Sequence, residues 1–224
     1  MACLIFDMTH TLQKFDPDEM WKQLGKMLLL SDATKLTELE EFKEIYKKYY
    51  LKYQIGLIKN DKEFFVQVFS SFGIKLKENE LNKIKEFHLK CRKNFVSLNP
   101  FVKPTLSRLK KNGHKLALLS NGVGNWAEYD WKMLRFNPKE FFKIIHYSQF
   151  TKTMKPNPKA FLGMLKKLNC KPEEAFMIGN NYEDDIIPAK ALSMKTIYLN
   201  LQATKNNSKA DYVIHSINEV LRIV

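Results

Sequence analysis

The stretch LIFDMTHTL, residues 4–12, decides how the rest of the chain is read. Its first three residues form an apolar run that reads as a buried strand, and the run stops at Asp7. A carboxylate at the end of a hydrophobic strand costs free energy to bury unless something pairs with it, which makes Asp7 a candidate for chemistry. A carboxylate acting as a nucleophile works best with an acid nearby, yet position 9 is Thr9, followed by His10. The stretch therefore raises two questions: what partners Asp7, and how fast such a site turns over.

Working outward, two textures appear. After Pro100, short apolar runs occur at 115–119, 143–147, 175–178, 195–199 and 211–214. Helical stretches at 101–112, 126–135, 157–168, 184–192 and 216–222 separate them. Continuous apolar strands alternating with helices imply a parallel sheet covered on both faces, with residues 4–6 as its first strand. Between residues 17 and 95 the periodicity is helical throughout. Trp21, Leu24 and Leu28 share one face, and Leu39, Phe42, Tyr46, Tyr49 and Tyr53 follow at spacings of three and four. Phe65, Val68 and Phe72 do likewise, as do Leu81, Ile84, His88 and Cys91. Breakers at Gly56, Asn60 and Gly73 divide the block into roughly four helices. The aromatic stripes read as packing surface, and His88 as a satisfied core or edge histidine rather than a ligand.

The chain of 224 residues is 45% hydrophobic and 27% charged, a globular composition. No apolar run approaches the ~20 residues of a membrane span. The start lacks the basic segment and cleavage site of a signal peptide, so a cytoplasmic location is expected. Cys3, Cys91 and Cys170 lie far apart without a CxxC and read as reduced, structural thiols. The net charge of +13 invites a nucleic-acid partner, but Arg occurs only at Arg92, Arg108, Arg135 and Arg222. Lysines spread along the chain lack the bidentate fork that nucleic-acid readers favour, and they suit steering of small anions equally well.

In an open parallel sheet, ligands bind beyond the carboxyl ends of the strands. The first strand ends there in Asp7, the second in Ser120-Asn121-Gly122, and the run 175–178 in Gly179-Asn180-Asn181 followed by Glu183-Asp184-Asp185. Between the last two, Lys155 precedes Pro156 and a helix start. Each piece alone is ordinary, since acids complement a helix N-terminus and Ser-Asn-Gly makes common turns. Their joint order is specific.

That order resembles the haloacid dehalogenase-like superfamily of hydrolases over essentially the whole chain. DMTHT (7–11), SNG (120–122), KPNPKAF (155–161) and GNNYEDDI (179–186) stand where that family has Asp-x-Asp-x-Thr, a Ser or Thr, a Lys and an acidic cluster. The resemblance implies an α/β fold, a Rossmann-like parallel-sheet core formed by residues 1–14 and 97–224. Residues 15–96 would be an inserted α-helical cap of the C1 type. It further implies a Mg²⁺-dependent phosphatase that acts on a small phosphorylated metabolite through an aspartyl-phosphate intermediate on Asp7.

On this resemblance Asp7, the Thr9 carbonyl, Asn180 and Asp185, with Asp184 as its substitute, would hold the metal. Ser120, Asn121, Gly122 and Lys155 would bind the phosphoryl group. Three departures bear on rate. Thr9 stands where family phosphatases carry the general acid, which predicts slow turnover. His10 stands where the family usually has Gly, as a replacement acid or base near the substrate, or equally as a surface histidine that tolerates the turn. Asn180 replaces an Asp ligand. Thr9 and Asn180 together keep open a second possibility, a catalytically weakened member that binds a phosphorylated ligand or partner in a regulatory role.

Overall fold

The computed structural model describes residues 1–16, 20, 23, 39–201 and 209–224. The helical face expected at Trp21, Leu24 and Leu28 lies outside them. Strand β1 (Cys3–Phe6) leads into a short β2 (Gln13–Phe15), and the helices α1 (Leu39–Gln54), α2 (Asp61–Ser70) and α3 (Glu78–Phe95) follow. Strand β3 (Val96–Leu98) then pairs antiparallel with β2, forming a two-stranded ribbon where the helical block leaves and rejoins the rest. The remainder alternates: α4 (Val102–Lys111), β4 (Lys115–Ser120), α5 (Gly124–Met133), β5 (Ile144–Tyr147), α6 (Ser148–Thr151), α7 (Pro158–Leu168), β6 (Ala175–Gly179), α8 (Ile187–Ala191), β7 (Lys195–Leu199) and β8 (Tyr212–Ile214).

Six of these strands form one parallel sheet in the order β5-β4-β1-β6-β7-β8. The α/β class and the parallel sheet expected from the sequence are present. β1 lies at the centre because its residues are apolar on both faces, with Leu4, Ile5 and Phe6 all fully buried. Leu4 and Phe6 pack on one side with Val102, Leu106 and Trp131, while Cys3 and Ile5 pack on the other with Phe161, Met164 and Ala189. Burying each large side chain contributes about 1.5–3 kcal/mol, so the strand that carries Asp7 is anchored from both layers. Strands flank β1 on both sides, and the topological switch point falls at its carboxyl end.

The helical block has its own core, built from Phe42, Tyr46, Tyr53, Phe64, Phe65, Val68, Leu81, Ile84 and Cys91. The breakers expected there have physical roles: Gly56 and Gly73 take left-handed backbone (φ 71° and 70°), and Asn60 caps α2 through a bond from the Glu63 N–H. His88 is buried and bonded at 2.9 Å to the Tyr46 hydroxyl. The block also grips the sheet domain. Trp126 of α5 is buried in the helical core, stacked on Tyr50 at 5.6 Å, with its indole N–H donating to Asp61 at 3.0 Å. Arg92 of α3 forms a two-bond ion pair with Asp130 of α5 (3.0 and 2.5 Å), both side chains buried.

Several sequence expectations are corrected. The helix expected at 184–192 is a wide π-helical turn, Tyr182–Ile186, passing into the short α8, and the segment at 216–222 is a 3₁₀ helix, Ile217–Arg222. The β2–β3 ribbon and α6 were not foreseen. Cys3 and Cys170 form a disulfide with Cα atoms 6.6 Å apart, against the expectation of three reduced thiols; Cys91 alone is free and buried. Among the described residues, no helix is long and apolar enough to cross a membrane.

Candidate active site

Register brings the polar residues to one edge. Phe6 pairs with Leu118 on one side and Ile178 on the other, so Asp7 just after β1, Ser120 at the last position of β4 and Asn180 just after β6 lie at the same end of the sheet. The Asp7 N–H continues the ladder to the Ile178 carbonyl at 2.9 Å, which fixes the aspartate backbone. Asp7 is buried, with 8% of its surface exposed.

The partner sought for Asp7 is Lys155. Its Nζ lies 2.6 Å from Asp7 Oδ1 and 2.5 Å from Asp185 Oδ1, and Lys155 and Asp185 are essentially inaccessible. Burial pushes the Lys155 ammonium down, but the carboxylates of Asp185 and Asp7 outweigh it and hold the group above its ordinary value. Burial raises the Asp185 carboxyl to about 7 against the opposing pull of Lys155. A buried charge is tolerated only when paired, and this trio supplies the pairing.

Asp185 is placed by its own loop. Its N–H donates to the Asn181 carbonyl at 2.8 Å, and its Oδ2 accepts from the Asn181 N–H at 3.0 Å. Both carboxylate oxygens are therefore engaged. Gly179 leaves the room this requires, because a Cβ there would collide with the Asp185 carboxylate. Asp184 sits apart from the trio, half-buried, with Oδ2 accepting from the Asn181 side chain at 3.1 Å. Burial raises its pKa, opposed by Lys155.

Thr11 closes the site from the other side. Its hydroxyl lies 3.2 Å from Asp7 Oδ2 and 3.0 Å from Asn180 Oδ1, so a carboxylate and an amide oxygen converge beside it. The sequence reading assigned Thr11 no role; its place as the last residue of DMTHT was the available signal, and the structure shows it buried. Two converging hard oxygens, with the half-buried Asp184 nearby, are the donor chemistry that suits Mg²⁺, which binds through one or two carboxylates and keeps several waters. Among the described residues, no group of three or more His, Cys, Asp or Glu could hold a metal by themselves, so a site here would lean on amide, carbonyl and water oxygens.

In the turn after β4, the Asn121 side chain and the Gly122 N–H already have partners, while the expected role of the Asn121 N–H is untouched by them. The Asn121 side chain holds the Lys155 backbone at both groups, accepting from its N–H and donating to its carbonyl at 2.7 Å each. The Gly122 N–H donates to Ser148 Oγ at 3.1 Å. Ser120 is buried at the end of β4. Thr9 is half-buried and bridges to Gln13. His10 is exposed and takes left-handed backbone, φ 62°, as a Gly would. It lines an open cavity of about 700 Å³ together with Lys14, Phe15, Asn94 and Ser97.

Comparison with known proteins fits this geometry. A family model described as haloacid dehalogenase-like hydrolase matches residues 4–199. A protein named glyceraldehyde 3-phosphate phosphatase from Pyrococcus furiosus is 34% identical over 132 residues, 56% of this chain and 53% of that protein. The chain thus spans about half the length of the curated relatives it matches. A 2-haloacid dehalogenase from Pseudomonas syringae superposes with a TM-score of 0.76 at 22% identity, covering 100% of this chain and 98% of that one. An enzyme from Bacteroides thetaiotaomicron described as HAD family, solved with magnesium and inorganic phosphate, gives 0.67 at 18% identity over 93% of this chain and 98% of that one.

Proposed function

The chain belongs to the haloacid dehalogenase-like hydrolases, and on that premise we propose that it is a slow, Mg²⁺-dependent phosphatase of small phosphorylated metabolites. The observation that carries this is the buried Lys155 ammonium held 2.6 Å from Asp7 at the carboxyl end of the central strand. A lysine there neutralises the aspartate and the approaching phosphoryl group together. A relative named glyceraldehyde 3-phosphate phosphatase is the reason to try a triose phosphate first.

In the first step an Asp7 carboxylate oxygen attacks phosphorus and the bond from phosphorus to the leaving oxygen breaks, giving an aspartyl phosphate. The leaving alkoxide takes its proton from water, because Thr9 carries no acid. In the second step water attacks phosphorus, the Asp7–phosphorus bond breaks, and inorganic phosphate leaves with the aspartate restored. Ser120 and the Asn121 N–H would hold the phosphoryl oxygens as charge spreads over them. Lys155 would stay protonated throughout, oriented by Asp185 and by Asn121. Mg²⁺, held by Asp7, the Thr9 carbonyl, Asn180 and the acidic turn, would shield the repulsion between the aspartate and a phosphate dianion. Because Lys155 and Asn181 occupy both oxygens of Asp185, Asp184 is the acid of that turn proposed to face the metal.

The test is phosphate release from a panel of monoesters with Mg²⁺. The proposal predicts release that is lost in Asp7→Asn and increased in Thr9→Asp. Equal release in wild type and Asp7→Asn would overturn it. Saturable ligand stabilisation in the wild type without turnover would favour the regulatory alternative.

A further inference from the structure

Gln54 ends α1, and through it the helical cap touches the loop that would hold phosphoryl oxygens. Its Nε2 donates to the Asn121 carbonyl at 3.0 Å. The N–H on the other side of that same peptide belongs to Gly122 and donates to Ser148 Oγ at 3.1 Å. The peptide joining residues 121 and 122 is thereby held at both ends, by the cap and by α6. The Asn121 side chain in turn holds the Lys155 backbone at 2.7 Å twice, and Lys155 reaches Asp7 and Asp185. An unbroken run of hydrogen bonds leads from a cap side chain to the nucleophile.

The placement of Gln54 follows from its helix. Tyr46, Tyr50 and Gln54 recur every four residues along one face of α1. Tyr46 and Tyr50 are fixed by Phe64 and Trp126. Beyond Gln54 the chain turns at Gly56 directly against the core, where a Cβ would fall 2.6 Å from the Gln149 carbonyl. The last turn of α1 is thus seated on the segment that also receives the Gly122 N–H.

We propose that Gln54 is a positioning residue: when the cap lies on the core, its amide sets the peptide after Asn121, and so aims the Asn121 N–H and the Lys155 ammonium at the phosphoryl group. This rests on the phosphatase reading above. Gln54→Glu separates positioning from packing, because it keeps the side-chain shape but removes the donor and sets a carboxylate against the carbonyl. Gln54→Ala removes both.

The experiment uses the full chain with Mg²⁺. It measures inorganic-phosphate affinity by calorimetry, kcat and KM on the monoester the wild type hydrolyses best, and melting temperature. Both variants are expected to lose about tenfold in phosphate affinity and in kcat, the scale of one ordinary hydrogen bond, with Gln54→Glu at least as impaired as Gln54→Ala. The melting temperature of Gln54→Glu is expected to stay within about 2 °C of wild type, as for a surface-proximal change outside the packed core. Wild-type kcat and phosphate affinity in Gln54→Glu would overturn the positioning role while leaving the phosphatase reading intact. Losses that appear only in step with a lowered melting temperature would overturn it too, in favour of packing. A wild type that neither binds phosphate nor hydrolyses any monoester would overturn the phosphatase reading and this inference with it.

Discussion

The ion pair between Arg92 and Asp130 gives the sharpest prediction about how the cap is held. The guanidinium meets the carboxylate through Nε at 3.0 Å and Nη2 at 2.5 Å, with side chains 6% and 1% exposed. It also lies over the rings of Phe15 and Trp126, at 4.8 and 5.4 Å from their centroids. Asp130→Ala would leave this cation buried among aromatics without its counter-charge. Breaking a buried pair in this way costs about 3–5 kcal/mol, and the ring contacts, present with or without Asp130, do not offset it. Arg92→Met should destabilise on the same scale, because it leaves the Asp130 carboxylate, 1% exposed, buried without its counter-charge. The double variant Arg92→Met/Asp130→Ala should lose much less than the sum of the single losses, since it leaves neither charge stranded. Equilibrium urea unfolding of the four proteins measures this directly. A loss under about 1 kcal/mol in Asp130→Ala, or strictly additive single variants, would refute the view that this pair clamps the cap to α5.

Three further outcomes follow from single side chains. Burial, with help from the Arg92 charge, holds the His88 imidazole well below its ordinary pKa, so the folded chain keeps it neutral while the unfolded chain protonates it. Stability should therefore fall as pH drops below about 6.5, by up to about 1.4 kcal/mol per pH unit from this group, and unfolding titrations of His88→Gln should show that slope reduced. His10 takes a left-handed backbone conformation and is exposed. His10→Gly should therefore stabilise the fold by up to about 1 kcal/mol with activity unchanged; a tenfold fall in kcat/KM would instead make the imidazole part of the reaction. Thr9→Asp should speed phosphate release by at least about tenfold, toward the range general acid–base catalysis supplies, and an unchanged steady-state rate would refute the proposal that Thr9 limits turnover.

The sheet was legible because its strands are continuous apolar runs ending in chemistry: Leu4 to Phe6 before Asp7, the run before Ser120, and the run before Gly179 all sit where periodicity put them. The approach of Lys155 to Asp7 was legible only through the order of motifs, since 148 positions separate the two. What stayed hidden depends on tertiary contacts that leave no local pattern. β2 and β3 are three residues each, too short for alternation to register, and they exist because each pairs with the other across the inserted helices. The Asn121 side chain holds the Lys155 backbone, a pairing no spacing announces. The Arg92–Asp130 and Gln54–Asn121 contacts likewise join cap and core positions whose charges and amides look like ordinary solvated surface. Pro188 and the Asn181 cap broke the helix expected at 184–192 into a π-helical turn, which is what brings Asp185 inward to Lys155.

The central claim is that Asp7 takes the phosphoryl group and that Thr9 slows its release. Acid-quenching the protein during reaction with Mg²⁺ and its best monoester, then mapping the digested peptides by mass spectrometry, tests both at once. The predicted result is one phosphoryl group on the peptide that carries Asp7, labile to hydroxylamine, absent in Asp7→Asn and shorter-lived in Thr9→Asp than in wild type. Phosphate release with no such adduct, continuing undiminished in Asp7→Asn, would contradict it.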